Sequence, residues 1–308
     1  MTHDTALLDD FRRRTEEQDL GVYGVHVHRE GHDPLEHRFR ADDRVHVWSG
    51  SKTFTAVAIG IARGAGLLDL DDPVLDHFAD HRGRVGAGVD QVTIRHLLQM
   101  TSGSPVTWFE LPADAPHDVA ATFLSADLVT RPGERFDYSN ASTYLLGRVV
   151  ERVSGEDLRD YLVPRLFDPL GIANPQWLRC PLGFSEGAKG LHLTTSELAR
   201  LGRLLLQRGT WEGVSLVPAD FVDAMHTDVV STAHFSTDPE SAGGYGYQVW
   251  TSTPDGAWRA DGRYGQFSIV LPRQRAVVTV TAHNERNAND ILRAVWDGLL
   301  PALSAPAA

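Results

Sequence analysis

Ser49 and Lys52, in the run VWSGSKTFTA over residues 47–56, place a hydroxyl and an amine three residues apart, which on a helix is one face. Arg44 to Trp48 reads as a short strand, and Thr53 to Ala62 as an apolar, buried helix. The serine therefore stands at or near a helix N-terminus, where unpaired N–H groups and the dipole favour a developing negative charge. A lysine beside it on an apolar helix is desolvated. Desolvation and the dipole both lower its pKa, so the neutral amine can take the serine proton. By itself Ser-x-x-Lys equally describes a polar helix cap with a solvated lysine, and the rest of the chain has to decide.

Two further segments bring complementary chemistry. In PGERFDYSN (132–140) the Pro-Gly pair marks a turn. The amphipathic run Leu145, Leu146, Val149, Val150, Val153 follows, so Tyr138 and Asn140 sit just before a helix, or cap it. A phenol there can share a proton with Lys52 and Ser49, and neighbouring cations would lower its pKa. In ADGRYGQ (260–266) the glycines allow close backbone approach to a ligand, and paired strands follow at 267–271 and 276–281. A backbone N–H here, that of Arg263, can join the N–H of Ser49 as an oxyanion hole.

In this order the three elements resemble the serine β-lactamase and penicillin-binding-protein superfamily, and within it the class C-type branch of β-lactamases, D-Ala-D-Ala carboxypeptidases, esterases and amide hydrolases. That branch carries Ser-x-x-Lys, Tyr-x-Asn and a Lys/His-x-Gly box on a strand. The connecting segments GLLDLDDP (66–73), TIRHLLQMTSG (93–103), PLGI (169–172) and GLHLTTSELARLG (190–202) look like the family's own, so the resemblance covers nearly the whole chain. It implies that Ser49 is the acylated nucleophile, Lys52 its base and Tyr138 the proton shuttle. Asn140 would bind the acyl side of the substrate, and the N–H groups of Ser49 and Arg263 would hold the oxyanion. The third box departs from the pattern: Ala260 stands where relatives have the Lys or His that binds a substrate carboxylate. Asp261 follows it and Gly262 completes the box. The Ala-x-Gly form looks more like the family's esterases and small-amide hydrolases. The expectation is a serine hydrolase of carboxylic esters or small amides. β-Lactamase, D-amino-acid peptidase, acyltransferase and catalytically idle acyl-binding module are the alternatives.

A competing serine lies in Gly183-Phe184-Ser185-Glu186-Gly187, which matches the Gly-x-Ser-x-Gly nucleophile elbow. That elbow needs an apolar strand before it and a helix straight after. Here Pro181 breaks the approach and the next helix starts near Thr195, capped by Thr195 or Ser196, so Ser185 reads as a loop residue lining the site. His26 and His28 would point to one face of a strand, with His32, His37 and His46 nearby. Their spacing fits no familiar metal set, and exposed histidines on a sheet face are the reading taken. No metal and no cofactor is implied.

The chain has 308 residues, 42% of them hydrophobic, and a formal net charge of −12. That charge disfavours nucleic acid and anionic membrane surfaces as partners and leaves a small-molecule substrate. The single cysteine, Cys180, permits no intrachain disulfide. The first residues lack the uncharged apolar core of a signal peptide, and no run approaches about 18 apolar residues, so the expected location is cytoplasmic. Oligomeric state is not legible.

The expected fold is α+β: an antiparallel sheet of about five strands flanked by N- and C-terminal helices, plus a mainly helical lobe. The sheet lobe takes residues 1–65 and 226–308, the helical lobe 66–225, and the site lies at their seam. Periodicity predicts helices over 4–18 and 289–303 and strands over 21–29, 36–48, 244–252, 257–271 and 275–283. Trp108, Phe109, Tyr245 and Trp258 are aromatic candidates for lining the site, on or near loops 103–117 and 228–243.

Overall fold

Six strands make one antiparallel sheet: β1 (Val22–Arg29), β2 (Leu35–Arg38), β3 (Trp250–Thr251), β4 (Trp258–Gly262), β5 (Gln266–Leu271) and β6 (Ala276–Ala282), in the order β2-β1-β6-β5-β4-β3. The computed structural model describes residues 5–108 and 118–305. Strands β5 and β6 are buried along their whole length. Such strands need cover on both faces, and their alternation supplies it. Phe267, Ile269 and Leu271 of β5, with Val278 and Val280 of β6, pack with Phe11 of α1 (Asp9–Glu17). Ile291, Leu292 and Val295 of a late helix, Asn289–Gly298, complete that layer.

The opposite face carries the helices of the middle of the chain. These are α2 (Ser51–Gly64), α3 (Asn140–Ser154) and α4 (Thr195–Leu206), with shorter helices at Ile94–Leu98, Val119–Ser125 and Leu158–Leu162. α4 lies directly on β5 and β6. At Gly202 any Cβ would collide with Ser268 Oγ and the Val277 side chain, so only glycine lets this helix sit so close to the sheet. Its first turn is fixed by a capping box: Thr194 accepts from the Glu197 N–H, and Glu197 accepts from the Thr194 N–H at 3.0 Å. The same Glu197 carboxylate takes a bidentate pair from Arg44, at 2.9 and 2.6 Å, tying the residues before Ser49 to α4.

Several boundaries differ from the sequence reading, each for a local reason. The strand expected over 36–48 is broken because Asp42 leaves the sheet, accepting from the Thr195 N–H at 3.0 Å and the Ser196 hydroxyl at 2.9 Å. Val45–His46 then pairs with Leu191–Leu193 in a separate small sheet. Thr194, not Thr195 or Ser196, caps α4. The stretch 257–271 is two strands, β4 and β5, joined at Arg263–Gly265, where Tyr264 and Gly265 have φ of 69° and 99°. Over 244–252 only Trp250–Thr251 joins the sheet, and the last helix is interrupted between Gly298 and Leu300. Among the described residues no helix is long and apolar enough to cross a membrane.

Candidate active site

Ser49 lies in a single 3-10 turn, Trp48–Gly50, that leads straight into α2. The turn is wound from a strained residue: Trp48 has φ of 49°, a conformation a bulky side chain rarely adopts. Its ring is held on both sides, stacked on His46 at 4.2 Å and edge-on to Tyr264 at 5.3 Å. The Ser51 hydroxyl donates to the Trp48 carbonyl at 2.7 Å and accepts from the Leu191 N–H at 3.3 Å. Ser49 is thus presented on an over-determined turn.

One helical turn on, Lys52 is 1% exposed. Its Nζ reaches Ser49 Oγ at 3.1 Å, Asn140 Oδ1 at 2.6 Å and the Ala188 carbonyl at 2.8 Å. Burial holds this amine well below the usual lysine range, the charge of Lys189 adds to the effect, and Asp261 opposes it. The Asn140 amide is oriented by the same network. Its Nδ2 donates to the Trp108 carbonyl at 3.0 Å, which leaves Oδ1 facing Lys52. Asn140 is free for this because Ser139, not Asn140, caps α3, accepting from the Ser142 N–H.

The partners of Lys52 fix what a neutral amine must do there. The Ala188 carbonyl and Asn140 Oδ1 can only accept, so they take its two N–H groups. A neutral amine would then have its lone pair for Ser49 Oγ, the one of these three partners that can also donate. Tyr138 completes the group: its hydroxyl is hydrogen-bonded to Ser49, and Lys52 Nζ lies 4.9 Å from its ring centroid. Here the expected direction is reversed. Loss of water raises the Tyr138 phenol above its ordinary value, the Ser49 hydrogen bond opposes this and the Asp261 charge adds to it. Burial outweighs the neighbouring charges there.

The third segment closes the other side. At Gly262 a Cβ would collide with the Val47 carbonyl oxygen and stand 3.1 Å from the Gly50 nitrogen, so the end of β4 presses on the turn that carries Ser49. Ala260 does not face the cleft; it is 1% exposed and packs in the core between sheet and helices. Asp261 faces it instead, accepting from Arg259 Nε at 2.9 Å, and burial raises its pKa while Arg259 opposes the rise. Arg259 is 1% exposed and also donates to the Thr251 and Glu240 carbonyls at 2.7 and 2.8 Å.

A cleft of about 450 Å³ opens over these groups, lined by Trp48, Ser49, Tyr138, Asn140, Lys189, Phe235, Ser241, Trp250, Asp261, Arg263 and Asn289. Its aromatic wall is Tyr138 stacked on Trp250 at 5.9 Å, with Phe235 beside both. Of the aromatic candidates named from sequence, Trp108 lies beneath the Lys189 side chain, and Tyr245 is buried behind Tyr138 and Trp250. Trp258 stacks on His226 away from the cleft, and Phe109 lies outside the described residues. Lys189, Phe235, Trp250 and Asn289 were missed. Lys189 had a signal: it and Lys52 are the only lysines in the chain.

Ser185 does not line this cleft. It is 2% exposed, its N–H and hydroxyl both donate to Asp157 at 2.8 and 2.6 Å, and after it no helix starts before Thr195. The serine clamps its loop to the carboxylate that caps the helix Leu158–Leu162. Ser185→Ala is expected to cost about 1.5–3 kcal/mol in urea unfolding, the range for a hydrogen bond to a charged group, while turnover stays at the wild-type level.

The histidines are not an exposed row either. The His26 side chain is 12% exposed, with Nε2 3.3 Å from Glu36 Oε1. It and His28 border a groove of about 830 Å³ whose lining contains none of the Ser49, Lys52 and Tyr138 group. Among the described residues no cluster of three or more His, Cys, Asp or Glu could hold a metal ion. His46 belongs to the active-site support: burial, His192 and Lys189 lower its pKa to about 4, and its neutral Nε2 accepts from the Gly190 N–H at 2.8 Å.

A family model described as Beta-lactamase matches residues 21–299. The chain belongs to the beta-lactamase family. Among curated proteins it is 27% identical over 173 residues to Protein flp of Staphylococcus aureus strain MW2, covering 54% of this chain and 35% of that protein. The chain thus spans about a third of the length of that relative. A putative 6-aminohexanoate-dimer hydrolase from Bacillus anthracis superposes with a TM-score of 0.78 at 19% identity, covering 94% of this chain and 81% of the other. EstCE1, a hydrolase with promiscuous acyltransferase activity, gives a TM-score of 0.73 at 20% identity over 96% and 99% of the two chains. At these identities the structural likeness establishes the fold: the mixed α/β, antiparallel-sheet architecture of the beta-lactamase and transpeptidase proteins.

Proposed function

We propose that this beta-lactamase family member is a serine hydrolase cleaving a carboxylic ester or small amide through an acyl-enzyme on Ser49. The observation that carries the reading is the Lys52 network, in which Nζ lies 3.1 Å from Ser49 Oγ beside two obligate acceptors that can take the amine N–H groups. Ser49 Oγ bonds to the substrate carbonyl carbon, its proton passes to Lys52 Nζ, and the carbonyl π electrons move onto oxygen. The N–H groups of Ser49 and Arg263 receive that oxyanion. As the intermediate collapses, the bond to the leaving alcohol or amine breaks, and the leaving group takes a proton by way of Tyr138. Water then adds to the acyl carbon, its proton returns through the same groups, and Ser49 is released.

Asn140 holds the acyl side of the substrate, and Asp261 lines the same cleft from β4. Asp261 in the cleft and Ala260 in the core speak for ester and small-amide substrates, because neither attracts the carboxylate that lactam and D-peptide substrates present at this strand. The solved neighbours named as a putative 6-aminohexanoate-dimer hydrolase and as a hydrolase with promiscuous acyltransferase activity support this side of the choice.

The test is steady-state turnover of an ester and amide panel with nitrocefin included, for wild type and Ser49→Ala. Ser49-dependent turnover of esters or amides, well above that of nitrocefin, is the expected result. Wild-type turnover in Ser49→Ala on every substrate would sink the proposal, and nitrocefin matching the best ester would make the protein a β-lactamase instead.

A further inference from the structure

We infer that Lys189 binds an anionic group on the acyl half of the substrate, supplying from a loop the charge recognition that the third box lacks. The inference rests on the acyl-enzyme reading above and names its substrate class: esters or amides whose acyl half ends in a carboxylate.

The third box cannot supply this recognition. Ala260 is buried in the core, and the side chain it sends into the cleft is the carboxylate of Asp261. A cation does stand elsewhere on the rim. The segment 187–190 is pinned through its backbone at every residue. The Gly187 carbonyl accepts from Thr55 Oγ1 at 2.9 Å, the Ala188 carbonyl from Lys52 at 2.8 Å and the Lys189 carbonyl from Trp177 Nε1 at 2.8 Å; the Gly190 N–H donates to His46 at 2.8 Å. The loop is rigid where the lysine begins, and the side chain is what remains to move. Its ammonium sits 5.6 Å from the Trp108 ring centroid and forms a long ion pair with Glu186 Oε1 at 4.0 Å, beyond hydrogen-bond reach. The side chain is 33% exposed and lines the cleft with Ser49 and Asn140.

Its side of the cleft is set by Trp108. The ring of Trp108 lies under Lys189 and its carbonyl holds Asn140, so the lysine shares the acyl side with the asparagine. Asp261 lines the same cleft from β4, paired with Arg259, so Lys189 is the cation placed to attract an anion beside Asn140. The competing cation is Arg263. Its guanidinium lies over Trp48 and Tyr264, 5.7 and 4.7 Å from their centroids, on the β4–β5 turn.

The experiment compares kcat/KM for the 4-nitrophenyl half-esters of glutaric and adipic acid with their methyl-capped neutral diesters, spontaneous hydrolysis subtracted. Because both members of each pair use the same Ser49 and Lys52, the anionic-to-neutral ratio cancels any effect of the variant on the base. Wild type is expected to prefer the anionic member by about tenfold, the scale of one charge-assisted hydrogen bond. Lys189→Met should abolish the preference, Lys189→Arg should restore much of it, and Arg263→Gln should leave it in place. A ratio unchanged in Lys189→Met, a ratio lost in Arg263→Gln instead, or a wild-type preference for the capped diester would overturn the inference while leaving the hydrolase reading intact. No Ser49-dependent turnover of either member would overturn both.

Discussion

Lys52→Met is expected to lower kcat on any Ser49-dependent substrate by about 10²–10⁴-fold, the usual contribution of a positioned general base. Methionine keeps the length and apolar stem of the side chain but leaves Asn140 Oδ1 and the Ala188 carbonyl without a donor, which costs about 1–3 kcal/mol each. It also removes an amine that burial disfavours in charged form, so the cooperative fold should survive and the loss belongs to the chemistry. The pH profile separates the two. In wild type kcat/KM should rise with pH as Lys52 loses its proton, with the limb well below 10.5, the ordinary lysine value. Tyr138, raised above the usual phenol value, should add no descending limb near neutrality. The Lys52→Met variant should show neither the rate nor the limb.

Stability carries the same signature. Because the folded-state pKa of Lys52 is depressed, the unfolded chain binds a proton that the native one does not. Stability therefore rises with pH between the folded and ordinary values, and the variant should lack that part of the rise. Urea unfolding across that range checks this. An unchanged pH limb in Lys52→Met would mean that another group takes the Ser49 proton.

Gly262→Ala should be nearly as damaging without touching a titratable group. The added methyl meets the Val47 carbonyl and the backbone of Gly50, neither of which is the far end of a flexible side chain. The strand must back away from the Ser49 turn, and with it the N–H of Arg263. A misplaced oxyanion donor costs about 10²–10³-fold in kcat, and KM should change far less because the cleft walls stay in place. Kinetics and a thermal melt together decide it. A kcat equal to wild type in a folded variant would show that β4 does not help to hold the oxyanion.

The parts of this site legible in the sequence were those whose chemistry is local. Ser49 and Lys52 share a face by spacing alone, and Asn140 declared itself by its place at the start of an amphipathic run. β5 and β6 were readable as apolar runs around Pro272. What escaped depended on contacts distant in the chain. Nothing local shows that Asp42 leaves the sheet to meet the start of α4, 153 residues on. The facing of Ala260 and Asp261 hinged on a turn at Arg263–Gly265 hidden inside what reads as one strand. The Tyr138 shift had the wrong sign because burial of the phenol, which spacing cannot carry, outweighs the charges around it. Lys189 was missed although it is one of two lysines among the 29 Lys and Arg residues, a bias that could have singled it out.

The most direct test of the central claim is intact-protein mass after incubation with a fluorophosphonate, for wild type, Ser49→Ala and Ser185→Ala. One adduct on wild type and on Ser185→Ala, absent from Ser49→Ala, is the predicted result and would place the nucleophile on the turn before α2. An adduct that persists in Ser49→Ala, or that disappears only in Ser185→Ala, would contradict the account, since the reactive serine would then lie outside the Lys52 network.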